Sequence, residues 1–265
     1  MGNMKICSWN VNGIRAVLQK GFLDWVSKEK PDILCLQEVK AFETQIPVEL
    51  RFFLQDYQYI WHAGQRPGYA GVATFWKKSL DVHAMKSTFA EVENFHEDGR
   101  VVEIQFSDFV LLNIYFPNWW ERADGTEMLS YKLWFYERFL NYIDDLRAKG
   151  KKVITTWDFN ICHREIDIAR PKENQNSIWF LPIERAEMDK MVTHGYVDLF
   201  RHFNPELKDK YTWWSYRAGA RPRNVGRRLD YFWVSEDVVP LVSGVAHQDD
   251  VMGSDHCPIV MEGNF

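Results

Sequence analysis

The sequence lacks the features of a small stapled fold and of a membrane-spanning one. Its 265 residues include only four cysteines, at positions 7, 35, 162 and 257, with no Cys-x-x-Cys pair and no histidine at finger-like spacing. That argues against a structural zinc site and against a disulfide framework. No run of about 18 apolar residues occurs, so no membrane-spanning helix and no membrane partner are expected. Neither a Pro/Gly/Ser-rich linker nor a repeat of about 20–50 residues divides the chain, and a single domain over residues 1–265 is the expectation. Excess positive charge is missing too. The net charge of −5 is the wrong sign for a protein that coats nucleic acid. An enzyme that works on nucleic acid through a local basic patch and an acidic, metal-holding centre stays open. The first residues, Met-Gly-Asn-Met-Lys-Ile, lead into a strand-like segment without a signal-peptide pattern. The cysteines at 7, 35 and 162 lie in or beside apolar stretches, as buried thiols do. A reducing, cytoplasmic location is expected, nuclear only in a eukaryote.

What the sequence has in quantity is aromatic mass: 12 Trp, 11 Tyr and 18 Phe, with hydrophobic residues at 46%. Side chains of this size build a core that needs no staple. Short apolar segments alternate with helical ones. Residues 5–10, 32–37, 69–76, 153–157, 229–235 and 257–262 read as strands, and 101–106 with 109–116 as a hairpin. Residues 13–28 read as an amphipathic helix and 183–194 as a helix stopped by Gly195. Residues 128–149 form the clearest helix, with apolar positions three and four apart and Gly150 closing it. Segments 91–100 and 163–177 read as surface loops. The alternation predicts an α/β fold with mixed sheets.

Polar residues stand where these strands end: Asn10 and Asn12, Glu38, Tyr115 and Asn118, Asp158 and Asn160, Asp255 and His256. Taken singly, each has a bland reading, as a cap, a solvated carboxylate or a surface dipeptide. Their shared position at strand ends is what points to a site, because strands gather distant parts of a chain at one edge. Carboxylate and amide oxygens suit Mg²⁺ or Mn²⁺, bound together with substrate phosphate. A second feature is local. Tyr-Thr-Trp-Trp-Ser-Tyr at 211–216 precedes Arg217, Arg221, Arg223, Arg227 and Arg228, with no acidic residue until Asp230. Read functionally, this aromatic-flanked basic run offers phosphate contacts and a surface for an extruded nucleotide; read structurally, it is a solvated loop over core tryptophans.

The strings Ser-Trp-Asn-Val-Asn-Gly at 8–13, Leu-Gln-Glu-Val-Lys at 36–40, Tyr-Phe-Pro-Asn at 115–118, Asp-Phe-Asn at 158–160, Arg-Leu-Asp-Tyr-Phe at 228–232 and Gly-Ser-Asp-His-Cys-Pro-Ile at 253–259 resemble, in order, the motifs of the exonuclease III-type apurinic/apyrimidinic endonucleases. These belong to the endonuclease/exonuclease/phosphatase superfamily, and the resemblance runs from residue 4 to 262. It implies a four-layer sandwich, two packed mixed β-sheets flanked by helices. It implies a monomeric, Mg²⁺-dependent enzyme that cuts duplex DNA 5′ to an abasic site and leaves a 3′-hydroxyl, with 3′–5′ exonuclease and 3′-phosphatase activity often alongside. Some relatives also cut at deoxyuridine.

Carried over residue by residue, the resemblance makes Glu38 the main metal ligand, with Asn10, Asp255, Asp158 and Asn160 near the ion. Asp158 orients or deprotonates the attacking water. Asn160 and Asn118 hold Asp158 or the phosphate, and Tyr115 faces the phosphate or the metal. His256, paired with Asp230, faces a phosphate oxygen. Asn12, Trp213, Leu229, Arg217, Arg221 and Arg227 fall on the substrate side, with Lys40, Arg164 and Lys172 as further backbone contacts.

The chain departs from the family pattern at Trp157 and Trp179, where Gly is usual, at Trp119-Trp120, where a small residue is usual, and at Arg227, where Trp is usual. Trp157, beside Asp158, implies an altered pocket or lowered activity. Two other readings stay open. One is a phosphoesterase of the same superfamily acting on inositol phosphates or lipid head groups. The other is a damaged-DNA binding protein without catalysis.

Overall fold

The computed structural model describes residues 3–87, 99–118 and 128–265. Two six-stranded sheets pack face to face. The first runs in space β13 (Val242–His247), β14 (Ile259–Gly263), β1 (Met4–Asn10), β2 (Ile33–Gln37), β4 (Val72–Lys77) and β3 (Tyr57–His62). The second runs β5 (Val82–Lys86), β6 (Val101–Phe106), β7 (Phe109–Tyr115), β8 (Lys152–Asp158), β12 (Asp230–Ser235) and β9 (Tyr196–Asp198). Each sheet has one parallel pair at its centre, β1 with β2 and β7 with β8, among antiparallel neighbours. These pairs point their carboxyl ends at one edge of the sandwich, where open α/β sheets collect ligands.

A buried polar seam fixes how the sheets face each other. Asn113 of β7 reaches across to donate to the carbonyls of Leu36 (3.2 Å) and Ala73 (2.9 Å) and to Thr74 Oγ1 (3.1 Å). Gln37 Nε2 donates back to Asn113 Oδ1 (2.7 Å) and to Ser8 Oγ (2.9 Å). Apolar surface surrounds this seam, including Ile6, Ile33, Ile104, Leu111 and Ile154.

Helices cover the outer faces. α4 (Met128–Ala148) buries Phe135, Phe139, Leu140 and Ile143 against the second sheet. There Phe116 stands among the rings of Phe135, Tyr136, Phe139, Trp157 and Phe159, with centroids 4.5–5.4 Å away. α6 (Pro182–Thr193) packs beside α4, opened by Pro182 in the first turn and followed by Gly195 at φ +79°. Over the first sheet lie α1 (Ile14–Leu18), α2 (Phe22–Glu29) and α3 (Val48–Phe53). No helix among the described residues is long and apolar enough to cross a membrane.

The expected helix over 13–28 is two helices, because Gly21 adopts a left-handed conformation (φ +90°) that ends one and begins the next. The strand expected over 69–76 begins at Val72, since Ala70 and Gly71 turn at φ +48° and +89°. A Cβ on Gly71 would sit 2.8 Å from Val39 Cγ2, so no larger residue fits there. Pro258, which has no N–H for a ladder, delays the last strand to Ile259. The segment 163–177 is not all loop. It holds a 3₁₀ turn (Glu165–Asp167) and the short α5 (Pro171–Asn174). Most of the loop expected over 91–100 lies outside the described residues, as do Trp119 and Trp120.

Candidate active site

The two parallel pairs deliver their last residues to one place. Asn10 ends β1, and Glu38 follows β2 with a left-handed backbone (φ +50°) that is strained for a glutamate. Register puts Tyr115, Asp158 and Asp230 side by side across β7, β8 and β12. Successive strand residues face opposite ways. Asp158 therefore faces the site, while Trp157 enters the core, where it is fully buried.

Asn10 Nδ2 joins the carboxylates, donating to Glu38 Oε1 at 2.9 Å and to Asp158 Oδ2 at 2.8 Å. Lys40 Nζ lies 2.7 Å from Glu38 Oε2 and also donates to Asn12 Oδ1. Asp158 Oδ1 accepts the backbone N–H of Asn160 at 3.0 Å, which the left-handed Asn160 (φ +54°) makes possible. His256 Nδ1 is 2.8 Å from Asp230 Oδ2, and its Nε2 is 3.8 Å from Asp158 Oδ2. Ligand atoms of Glu38, Asp158 and His256 all lie within 4.8 Å of one another, a group that could hold a metal ion.

Burial pushes the Asp158 carboxyl up to about 7; the His256 cation opposes this, and Asp230 and Glu38 add to it. Burial alone would lower His256, but Asp230 and Asp158 outweigh it and raise the imidazole to about 10. His256 is thus a cation at neutral pH, facing the site with a donor. The Tyr115 phenol is pushed well above its ordinary value by burial and by Glu38 and Asp158, and stays protonated. A carboxylate acceptor, an imidazolium and a phenol donor around one point suit a phosphate ester whose oxygens gain charge during attack.

Asp255 is held apart from the ion-binding group. Its Oδ1 accepts from Asn12 Nδ2 (2.9 Å) and Ser254 Oγ (3.2 Å), and its Oδ2 from Trp213 Nε1 (3.1 Å). Burial would raise its carboxyl, but His256 and these donors hold it below the ordinary value. Asn12 is thereby a bridge between Lys40 and Asp255 as much as a surface donor. Asn160 gives its Nδ2 to the Phe116 carbonyl (3.3 Å), which ties the turn after β8 to the end of β7. Asn118 Oδ1 accepts Trp179 Nε1 at 2.8 Å, which fixes which end of the amide is the donor.

The basic run separates into different fates. Arg217 is exposed in a 3₁₀ turn (Arg217–Gly219). Arg221 is corrected from a phosphate contact to a loop clamp: it donates to the carbonyls of Ser254 (3.1 Å), Asp249 (3.1 Å) and Val251 (2.6 Å) and stacks on Trp214. Arg228 is wholly internal, bonded to both Asp167 and Asp198. Arg227 lies against Trp179 and Trp213. Leu229 is 1% exposed and belongs to the core, packed with Cys162, Ile168, Trp179 and Phe180. Arg164 and Lys172 are exposed.

Trp157 does not narrow the site, contrary to expectation. It fills the core against Phe116, Phe139 and Phe159. Trp179 does occupy a glycine-like conformation (φ +73°). The sequence reading missed Lys132, Glu184 and Tyr136. Lys132 is a charged residue on the apolar stripe of its helix, four positions before Tyr136, and that placement was the available signal.

The fold and this carboxylate–histidine centre are those of a metal-dependent phosphodiester hydrolase. Residues 7–256 match the Endonuclease/Exonuclease/phosphatase family, and the chain belongs to that family. It is 40% identical over 258 residues to an exodeoxyribonuclease of Bacillus subtilis (97% of this chain, 98% of the relative). It is 39% identical over 259 residues to a DNA-(apurinic or apyrimidinic site) endonuclease of Dictyostelium discoideum (97% of this chain, 69% of the relative). The 3′ phosphatase NExo from Neisseria, solved bound to a product DNA hairpin, superposes with a TM-score of 0.87 at 25% identity, covering 99% of this chain and 100% of that one. Within the family, the chain stands among the exodeoxyribonucleases and AP endonucleases.

Proposed function

We propose that this enzyme cuts duplex DNA on the 5′ side of abasic sites with Mg²⁺, leaving a 3′-hydroxyl, and also removes 3′-terminal nucleotides and phosphates. The observation that carries the reading is the arrangement of Asp158 between the Asn10 amide and the Asp230-paired His256 (Asn10 Nδ2 at 2.8 Å, His256 Nε2 at 3.8 Å). The names of the Bacillus, Dictyostelium and Neisseria relatives support the range of activities.

The donor set fits a divalent ion. Glu38 and Asp158 would hold it, and when bound it neutralises charge on the phosphate oxygens. Asp158 takes the proton of the attacking water as oxygen adds to phosphorus. His256 and Tyr115 donate hydrogen bonds to the phosphate oxygens as the P–O3′ bond breaks, and the departing O3′ takes a proton from solvent to become the 3′-hydroxyl. Asp230 fixes the imidazole tautomer. Trp213, joined to Asp255, offers a ring for the exposed sugar.

The test is a labelled duplex with one tetrahydrofuran abasic analogue, incubated with Mg²⁺ or with chelator, for the wild type and Asp158→Asn. A Mg²⁺-dependent cut 5′ to the lesion that the variant loses supports the reading. Absence of a cut with any divalent metal refutes it and turns attention to phosphoinositides.

A further inference from the structure

Of the five arginines between 217 and 228, one is both held in place by packing and left with most of its donors unspent. Arg228 is neutralised by Asp167 and Asp198, and Arg221 is committed to three carbonyls. Arg217 and Arg223 are exposed. Arg227 is half-buried, with its guanidinium carbon 4.7 Å from the Trp179 ring centre and 5.5 Å from that of Trp213. The two indoles meet edge to face at 5.0 Å. Among the described residues Arg227 makes one side-chain hydrogen bond, Nη2 to Asn174 Oδ1 at 3.2 Å, and no ion pair. A guanidinium has five N–H donors in a planar fork. The indole faces hold this fork still without using those donors, which leaves it prepared for a bidentate oxyanion.

Its position says which anion. β10 (Trp213–Trp214) and β11 (Gly226–Arg227) form a small ribbon in which Trp213 is paired with Arg227. On its other side Trp213 bridges to His256. The order across this surface is therefore His256, Trp213, Arg227, in steps of one strand spacing, about 5 Å each. A phosphate at His256 with its sugar over Trp213 brings the next phosphate of the same strand toward Arg227. We propose that Arg227, held against Trp179 and Trp213, binds the DNA phosphate on the 3′ side of the nucleotide whose 5′ phosphate is cleaved. Each nucleotide in the pocket would then be gripped at both of its phosphates, whatever its base. This rests on the abasic-site reading above and specifies its substrate contact.

The experiment uses two tetrahydrofuran duplexes, one native and one with a neutral methylphosphonate at the phosphate 3′ to the analogue. A third carries the methylphosphonate one nucleotide further along. kcat/KM for the 5′ cut is measured for the wild type, Arg227→Gln and Arg227→Lys. A charge-assisted bidentate contact predicts that the wild type loses about tenfold or more on neutralisation of the adjacent phosphate. The difference should shrink below about twofold in Arg227→Gln and lie between the two in Arg227→Lys, which keeps charge without the fork. The more distant methylphosphonate should act equally on all three proteins. Equal losses in wild type and Arg227→Gln on the adjacent duplex, or no loss in the wild type, overturn the assignment and leave Arg227 a plug stacked on two indoles. If no protein cuts the native duplex, the abasic-site reading fails separately. The ratio of dissociation constants for the first two duplexes, read by fluorescence anisotropy, then decides the Arg227 contact by the same criteria.

Discussion

Lys132 Nζ donates to the carbonyl of Asn160 at 2.9 Å, so a helix on the outer face of the second sheet holds the turn that carries Asp158. Its charge is met by Glu184 Oε1 at 2.5 Å, with both side chains fully buried. Glu184 Oε2 in turn accepts the backbone N–H of Leu181, two residues after Trp179. Tyr136, one turn along from Lys132, donates to the Phe159 carbonyl. The active-site turn is thus fastened from behind.

Lys132→Ala leaves Glu184 buried without its partner and is expected to cost about 3–5 kcal/mol of stability. Denaturant unfolding measures this. The paired replacement Lys132→Met with Glu184→Leu should recover most of it while kcat stays low and KM changes little, because the Asn160 carbonyl remains unpinned. Full recovery of kcat in the pair would show that Lys132 serves stability alone.

Trp157→Gly should act on folding and not on the pocket. Deleting a fully buried indole costs about 3–5 kcal/mol, whereas the side chain touches no site residue on the substrate side. Expected results are a large fall in the unfolding midpoint, a smaller one for Trp157→Phe, and an unchanged KM for abasic duplex in the Phe variant.

In the metal-free protein His256 is expected to titrate near 10, and nitrogen chemical shifts of the ring would show it. Its folded value lies above the unfolded one of about 6.5. The stability it contributes is therefore complete below about 6.5 and lost as pH rises toward 10. His256→Gln should flatten the decline in unfolding free energy over that window. Asp230→Asn should lower the titration of His256, since Asp230 is the leading cause of the rise.

Asn10→Ala removes the amide that joins Glu38 to Asp158. Calorimetric titration with Mg²⁺ should show affinity weaker by about 10–100-fold, the usual effect of losing a group that orients metal ligands. The 5′ cut should be restored in part by raising the Mg²⁺ concentration.

Salt dependence separates the two arginines that the basic run made look alike. Arg217→Ala should lower the slope of log affinity against log salt by about 0.9, as for one lost phosphate contact. Arg221→Ala should leave that slope nearly unchanged and lower the melting temperature, since its donors go to Ser254, Asp249 and Val251.

Much of this site was legible in the sequence because it is written in short strings at strand ends. Glu38, Asp158, Asp230 and His256 each stand next to an apolar run, and the structure brings them together. The strands missed by the sequence reading are those whose burial is incomplete. Tyr57–His62 lies at a sheet edge with only Trp61 buried, and Val82–Lys86 is largely exposed, so neither carries a clear alternation. The fates of Arg221 and Arg228 were illegible for another reason. Their partners Asp249, Asp167 and Asp198 are 28 to 61 positions away, and only tertiary geometry separates an internal clamp from a free cation. Lys132 belongs to the same class.

The Asn113–Gln37 seam has a consequence for how the enzyme assembles. Asn10 and Glu38 come from one sheet, while Tyr115, Asp158 and Asp230 come from the other. Neither set is a site by itself. An ion shared by Glu38 and Asp158 would be a rivet between the two halves, and its binding free energy would add to their adhesion. Loosening the seam, as in Asn113→Ala, should then surface first as weaker ion capture, well before the sheets part, so that metal affinity becomes a gauge of how well the sandwich is closed.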